Sequence, residues 1–242
     1  MPAAQAERDA MGYVFDPAAV LTGEYLDWFV WGLATTIALT IAAWLLGMAA
    51  GILLTLIRMI PFRPCEWLVA AYVEYHRNVP LLVQIFVWYF GIPQLLPRAM
   101  RVWINGHGSE FLLAAVALGL ACAAYVSEDL RSGIRSIPKT QYEAARSIGF
   151  GYLGAMGWVI LPQALRIVVP PLINQTLLLF KNTSLAMAIG LGELTYRTRE
   201  VDSYTFKTFE AFAVATVLYL AISFGIMALG SYADRRLKLE IR

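Results

Sequence analysis

Residues 28–57 read WFVWGLATTIALTIAAWLLGMAAGILLTLI, a run of thirty positions with no Asp, Glu, Lys, Arg or His. A helix crosses the apolar core of a bilayer in about 20 residues, so this run is long enough to span even when tilted. Trp28 and Trp31 mark an interfacial end and Arg58 closes the other, as aromatic belts and basic flanks do at membrane boundaries. A backbone in lipid must satisfy its own hydrogen bonds, and one long continuous run does so as a helix. The fold class that follows is an all-α membrane protein.

The remainder of the chain agrees. Of 242 residues, 59% are hydrophobic and 15% charged, with a mean hydropathy of +0.61. A soluble domain is roughly 45–50% apolar and about 25% charged, so this chain lacks the polar surface to coat a water-soluble globule. The lipid bilayer is its solvent. Lys and Arg number 19 against 17 Asp and Glu, a net charge of +2, and no nucleic-acid partner is expected from so small an excess. Cys65 and Cys122 lie far apart with no CxxC, which signals neither a zinc site nor a disulfide framework. The opening MPAAQAERDAMGYVFDP has no basic segment followed by an apolar core. The first span, rather than a cleaved leader, is expected to direct insertion.

Further uncharged runs occupy 78–97, 111–127 and 211–233. The run at 147–165 is also uncharged, but Gly149, Gly151, Gly154 and Gly157 crowd its first half. Each glycine costs a helix about 1 kcal/mol relative to alanine, so a turn-rich surface segment is expected there, with a span starting near Trp158. Five spans result, at approximately 27–58, 67–97, 109–134, 158–189 and 208–234. They form a single transmembrane domain, 26–242, behind an N-terminal tail, 1–25.

Basic residues orient the bundle. With five spans, Arg58 and Arg63, then Arg131, Arg135, Lys139 and Arg146, and the tail Arg235, Arg236, Lys238 and Arg242 share one side. That side is expected to be cytoplasmic. The other side holds Arg8 in the tail, Arg98 and Arg101, and the 190–209 loop, where Glu193, Glu200 and Asp202 offset Arg197, Arg199 and Lys207. The N-terminus is therefore expected to be periplasmic and the C-terminus cytoplasmic.

Catalytic signatures are missing. There is no GxxxxGK[ST] loop to cradle nucleotide phosphates, no HExxH and no GxSxG. His76 and His107 have no metal-ligand spacing, so neither a catalytic residue nor a metal site is expected. The informative region is the loop YVSEDLRSGIRSIPKTQYEAARSIGFGYLGAMGWVILPQALR, 125–166. After Pro138, residues 139–149 can form a short helix with a small, smooth Glu143-Ala144-Ala145 face, closed at Gly149 as a C-cap. Such a helix suits another protein's groove, but on physical grounds alone an ordinary surface helix connecting two spans is the favoured reading.

Glu143-Ala144-Ala145, three residues, Gly149, nine residues, Val159, one residue and Leu161-Pro162 resemble the EAA signature of permease subunits of ATP-binding-cassette (ABC) importers. The departure is Val159, where the pattern usually has Ile. The flanks YVSEDLRSGIRSIPKTQ and LPQALRIVVPPLINQTLLLFKNTSLAMAIG resemble the polar amino acid subfamily. The stretch EYHRNVPLLVQIFVWYFGIPQLLP is most similar to its glutamate/aspartate-type members. The resemblance covers roughly residues 25–240.

It implies a non-catalytic bacterial inner-membrane subunit whose EAA helix is a coupling helix. Glu143, Ala144, Ala145 and Gly149 would then engage a separate ABC ATPase dimer that binds ATP and Mg. It also implies a second permease subunit, the same or a related chain, and a periplasmic amino-acid-binding protein that delivers substrate. No cofactor of the chain's own is implied. The cargo would be a polar amino acid such as glutamate, aspartate or their amides.

Candidate pathway residues follow from polarity within spans. Lys181 lies deep in span four, where a lysine costs about 2.5–3.5 kcal/mol on insertion scales. It either snorkels to the headgroups or, with Asn182, Thr183 and Ser184, binds a carboxylate. Gln84 and Asn174 either line the same path or bond between helices. Glu74 and Arg77, at i,i+3, read as an ion pair, and Gly47-x-x-x-Gly51 as a close helix crossing. The alternative function is a stand-alone ion-coupled secondary transporter. Five spans without an evident internal repeat argue against it, because such transporters commonly show repeated halves. A membrane enzyme would require turnover without uptake.

Overall fold

The computed structural model describes residues 15–237, and every regular element among them is helical. The tail up to residue 14, with Arg8, and the terminal charges Lys238 and Arg242 lie outside the described residues. Helix α1, Glu24–Met59, is built on the uncharged run, with Glu24 and Asp27 in its first turn and Arg58 in its last. Those charges complement the helix dipole at both ends.

After α1 come α2, Arg63–Asn78, α3, Leu81–Leu95, and the short α4, Arg98–Gly106. The sequence reading expects one straight span over 67–97, and the structure corrects this. Helices α2 and α3 meet at a bend of 108°. Pro80 is the cause: it has no N–H to continue the ladder and forces Val79 into an extended conformation, φ −92° and ψ 130°. Arg98 and Arg101, expected in a loop, begin α4.

Helix α5, Ser109–Arg135, is central. In its most apolar stretch 61% is buried, against 28% for α1. Its sequence explains this, since Ala114, Ala115, Ala117, Gly119, Ala121 and Ala123 let neighbours approach closely. Helices α1, α2, α3 and the later α7 all pack on it. A Cβ added at Gly47 would sit 2.9 Å from Cys122, and one at Gly51 would sit 2.6 Å from Val126. The Gly47-x-x-x-Gly51 face is thus where α1 crosses α5. On the side bearing Arg58, that residue pairs with Glu128, and Arg131 bonds Glu66 at 3.1 Å.

Next are α6, Lys139–Ser147, and α7, Tyr152–Ile189. Helix α7 starts six residues before the expected Trp158, so Gly154 and Gly157 are helical. A π-turn at Met156–Ile160 accounts for this: the Leu161 N–H reaches back to Met156 O just ahead of Pro162. Widening the turn moves the carbonyl that the proline ring would strike. The same device precedes Pro93, where Ile92 N–H reaches Val87 O after a π-turn at Val87–Gly91. Helix α7 ends in a 3-10 segment, Thr183–Ile189. The 190–209 loop is mostly a helix, α8, Leu194–Thr205, followed by α9, Thr208–Leu237. Among the described residues four helices, α1, α5, α7 and α9, are long and apolar enough to cross a membrane, and the bent α2–α3 pair meets the same criterion only when its two halves are taken together.

Candidate functional site

The break between α2 and α3 creates a polar corner. Four carbonyls at a helix end lose their partners, and Gln84, one turn into α3, supplies two of the donors. Its Nε2 donates to Val79 O at 2.8 Å and to His76 O at 3.0 Å. With both amide protons so used, Gln84 Oε1 accepts from His76 Nδ1–H at 2.6 Å. Gln84 is therefore a buried brace for the bend, not an open pathway side chain. His76 is buried and wedged against Tyr72, whose hydroxyl donates to Leu120 O at 2.7 Å.

Behind this corner lies a cavity of about 250 Å³ between α2, α3, α5 and α7. His76, Tyr125, Gln175 and Asn182 provide its polar wall, and Leu118, Cys122 and Leu179 its apolar floor. Arg77 places its guanidinium 5.8 Å from the Tyr125 ring centre. Asp129, one turn along α5, interacts with Gln175 and the Arg77 charge, and its Oδ2 is buried without a hydrogen-bond partner. The corner thus carries a cation and an anion near one small, mixed cavity.

Asn182 is the one residue of the predicted pathway set that lines this cavity. Lys181 and Asn174 are exposed on α7. Thr183 Oγ1 donates to Phe180 O at 2.6 Å and Ser184 Oγ to Lys181 O at 2.8 Å, so both hydroxyls close the 3-10 turn. The expected Glu74–Arg77 pair does not form: Asn78 Nδ2 donates to Glu74 at 2.8 Å while Arg77 turns to Tyr125. Sequence reasoning missed His76, Tyr125, Gln175 and Asp129. The acidic pair Glu128-Asp129 at the end of an apolar run was the available signal, since a carboxylate in a span is rarely without purpose.

The EAA segment forms a separate surface. Helix α6 ends in a Schellman motif: Phe150 N–H reaches Ala145 O at 3.1 Å and Gly149 N–H reaches Arg146 O at 3.0 Å. Gly149 has φ +94°, a conformation that any side chain would strain. Ala145 is buried, whereas Glu143 and Ala144 are exposed. The Tyr142 ring packs edge-on to Tyr152 at 6.2 Å, which docks α6 on the start of α7. A short helix with a small open face is held rigidly outside the bundle.

At the opposite end, Glu193 caps α8. Its carboxylate accepts from Tyr196 N–H at 2.7 Å, Thr195 N–H at 3.0 Å and the Tyr219 hydroxyl at 3.1 Å. Burial pushes this carboxyl above the usual range, and the backbone donors oppose the shift. Exposed Arg199, Ser203 and Tyr204 face outward from α8, while Thr198 is fully buried.

A multi-helix membrane fold with this externally docked helix and signature is that of an importer permease. The chain belongs to the family of binding-protein-dependent transport system inner membrane components, which it matches over residues 45–239. It is 36% identical over 219 residues to the glutamate/aspartate import permease protein GltJ of Escherichia coli K12, covering 89% of each chain. It is 37% identical over 214 residues to the probable glutamine ABC transporter permease protein GlnM of Bacillus subtilis, covering 88% of this chain and 93% of that one. Among solved structures, an amino acid ABC transporter crystallised with histidines superposes with a TM-score of 0.81 at 30% identity, over 93% of this chain and all of the other.

Proposed function

We propose that this chain is the permease subunit of an ATP-driven importer of polar amino acids, with glutamate, aspartate or their amides as cargo. The observation that carries the reading is the EAA helix α6, rigidly capped and presenting Glu143 and Ala144, on a bundle with no nucleotide-binding loop of its own. Such a chain needs an external motor. A separate ABC ATPase dimer, binding ATP and Mg, docks on α6. A second permease subunit, identical or related, completes the pathway, and a periplasmic binding protein delivers substrate. The likeness to GltJ and GlnM supports the cargo class.

In this reading the α6 side lies in the cytoplasm of a bacterium and the α8 side in the periplasm, the arrangement that the excess of basic residues on the α6 side supports. ATP-driven closure of the ATPase pair draws the two coupling helices together and opens the bundles outward, and release reverses this. Within the bundle, the cavity beside His76 and Asn182 passes the amino acid, with Arg77 and Asp129 matching its carboxylate and ammonium groups. Lys181 stands exposed on α7 next to Asn182, where it draws a carboxylate toward the path.

Reconstitution tests the proposal. Proteoliposomes holding the chain with its ATPase should accumulate radiolabelled glutamate or glutamine only when ATP is inside and binding protein outside. Uptake driven by an ion gradient without ATP would establish the secondary-transporter reading instead.

A further inference from the structure

The cavity beside the α2–α3 bend is lined by no Asp, Glu, Lys or Arg. Two charges reach it only through wall residues: the Arg77 guanidinium lies over the Tyr125 ring at 5.8 Å, and Asp129 interacts with Gln175 and with the Arg77 charge. One cation and one anion balance a zwitterion and leave nothing over. Lys181 is exposed on α7 and does not line the cavity. A cargo whose side chain adds a further charge would bring it into the bundle without an opposite partner, a costly placement in a membrane span.

The tautomer of His76 is fixed from outside the cavity. Gln84 spends both amide protons on Val79 O and His76 O, at 2.8 and 3.0 Å, so its Oε1 must accept and His76 Nδ1 carries the hydrogen. At pH 7 an imidazole is predominantly neutral, and with Nδ1 as donor its other nitrogen presents a lone pair. Nε2 has no hydrogen-bond partner among the described residues, yet it is not sealed off. Because His76 is only 6% exposed and lines the cavity, the space Nε2 opens to is the cavity itself. The wall thus presents a buried acceptor that no protein donor satisfies.

An amide side chain answers this wall. Its NH₂ can donate to Nε2, and its carbonyl can accept from Asn182, on the same wall. An ionised carboxylate only accepts, and would set its lone pairs against that of Nε2. An arginine side chain can donate but adds the unmatched positive charge. We propose that this cavity selects a neutral amino acid with a side-chain amide, glutamine or asparagine, over glutamate, aspartate and arginine, with His76 Nε2 as the acceptor that reads the amide N–H. The inference rests on the reading of the cavity as the amino-acid path.

Calorimetric titration of the detergent-purified permease–ATPase assembly with glutamine, glutamate and arginine, in the absence of binding protein, tests it. Glutamine should bind at least about tenfold more tightly than the other two, since a site that leaves a buried polar group unpaired rejects the wrong side chain. His76→Asn keeps a donor near the Nδ1 position for Gln84 but places nothing at Nε2. It should bring the glutamine-to-glutamate affinity ratio to about one at an unchanged unfolding midpoint, whereas a merely structural His76 would lower the midpoint and weaken both amino acids alike. Asn182→Lys adds a cation to the wall and should turn the preference toward glutamate, and this variant decides if His76→Asn fails to assemble. Wild type binding glutamate or arginine as tightly as glutamine, a wild-type ratio in His76→Asn, or an unchanged preference in Asn182→Lys would overturn the proposal. Binding of none of the three would instead overturn the amino-acid path itself, and the selectivity with it.

Discussion

Gln84 Oε1 lies 2.6 Å from His76 Nδ1, and through this contact a residue of α3 holds the last turn of α2 across a 108° bend. The bend is what opens a cavity beside α5 and α7 in place of a straight packed span. Gln84→Leu should orphan the His76 and Val79 carbonyls, at a cost on the order of 1–3 kcal/mol each. Thermal unfolding of the purified assembly should show that loss. A Gln84→Leu protein as stable as wild type would mean that water replaces the brace.

Coupling should fail at two positions for different reasons. Gly149→Val places a β-branched residue at φ +94°, which strains the backbone by about 1–3 kcal/mol and breaks the cap of α6. Glu143→Lys leaves the fold intact and reverses the charge of the docking face. Both should lose binding-protein-stimulated ATP hydrolysis while the chain stays in the membrane. Full stimulation in Glu143→Lys would remove that residue from the contact.

Orientation is open to a labelling test. A cysteine at exposed Ser203 should react with an impermeant thiol reagent applied from the periplasmic side, while one at buried Thr198 should stay protected. Reaction at Ser203 from the cytoplasmic side alone would invert the bundle.

The α8 cap should be pH-sensitive. Burial raises the Glu193 carboxyl above its ordinary value of 4.5, so the folded state holds that proton more tightly than the unfolded chain. The resulting stabilisation is complete below the ordinary value and is lost as pH rises through the raised one. The unfolding midpoint of wild type should therefore fall over that window relative to Glu193→Gln. Parallel curves for the two proteins would show that the cap donors cancel the effect of burial.

Cargo should follow the cavity more than Lys181. Asn182→Leu, which removes a polar wall, should reduce glutamate or glutamine uptake at unchanged surface abundance, and Lys181→Met should have the smaller effect. Strong arginine uptake by wild type would instead give the Asp129 carboxylate, whose Oδ2 is free of hydrogen bonds, the leading role.

The sequence by itself determined the class of the fold, because thirty uncharged residues admit one solution in lipid and each apolar run repeats the argument locally. It also carried the short helix α6, since Pro138, the Ala144-Ala145 pair and Gly149 act within about three turns of chain. The bend at Pro80 was visible as a proline but not as a corner of 108°, because the donors that make it tolerable come from Gln84, on the far side of the break. The glycines of 149–157 suggested a turn: Gly149 and Gly151 do turn the chain between α6 and α7, whereas Gly154 and Gly157 are helical, Gly157 within the π-turn ahead of Pro162. The cavity was decided by tertiary structure alone. His76, Tyr125, Asp129 and Gln175 are separated by up to a hundred positions, and what brings them together is the crossing of α2 and α7 over the small-residue face of α5. Lys181 drew notice because charge in an apolar run is conspicuous in one dimension, but the direction of a side chain around a helix depends on what packs against it.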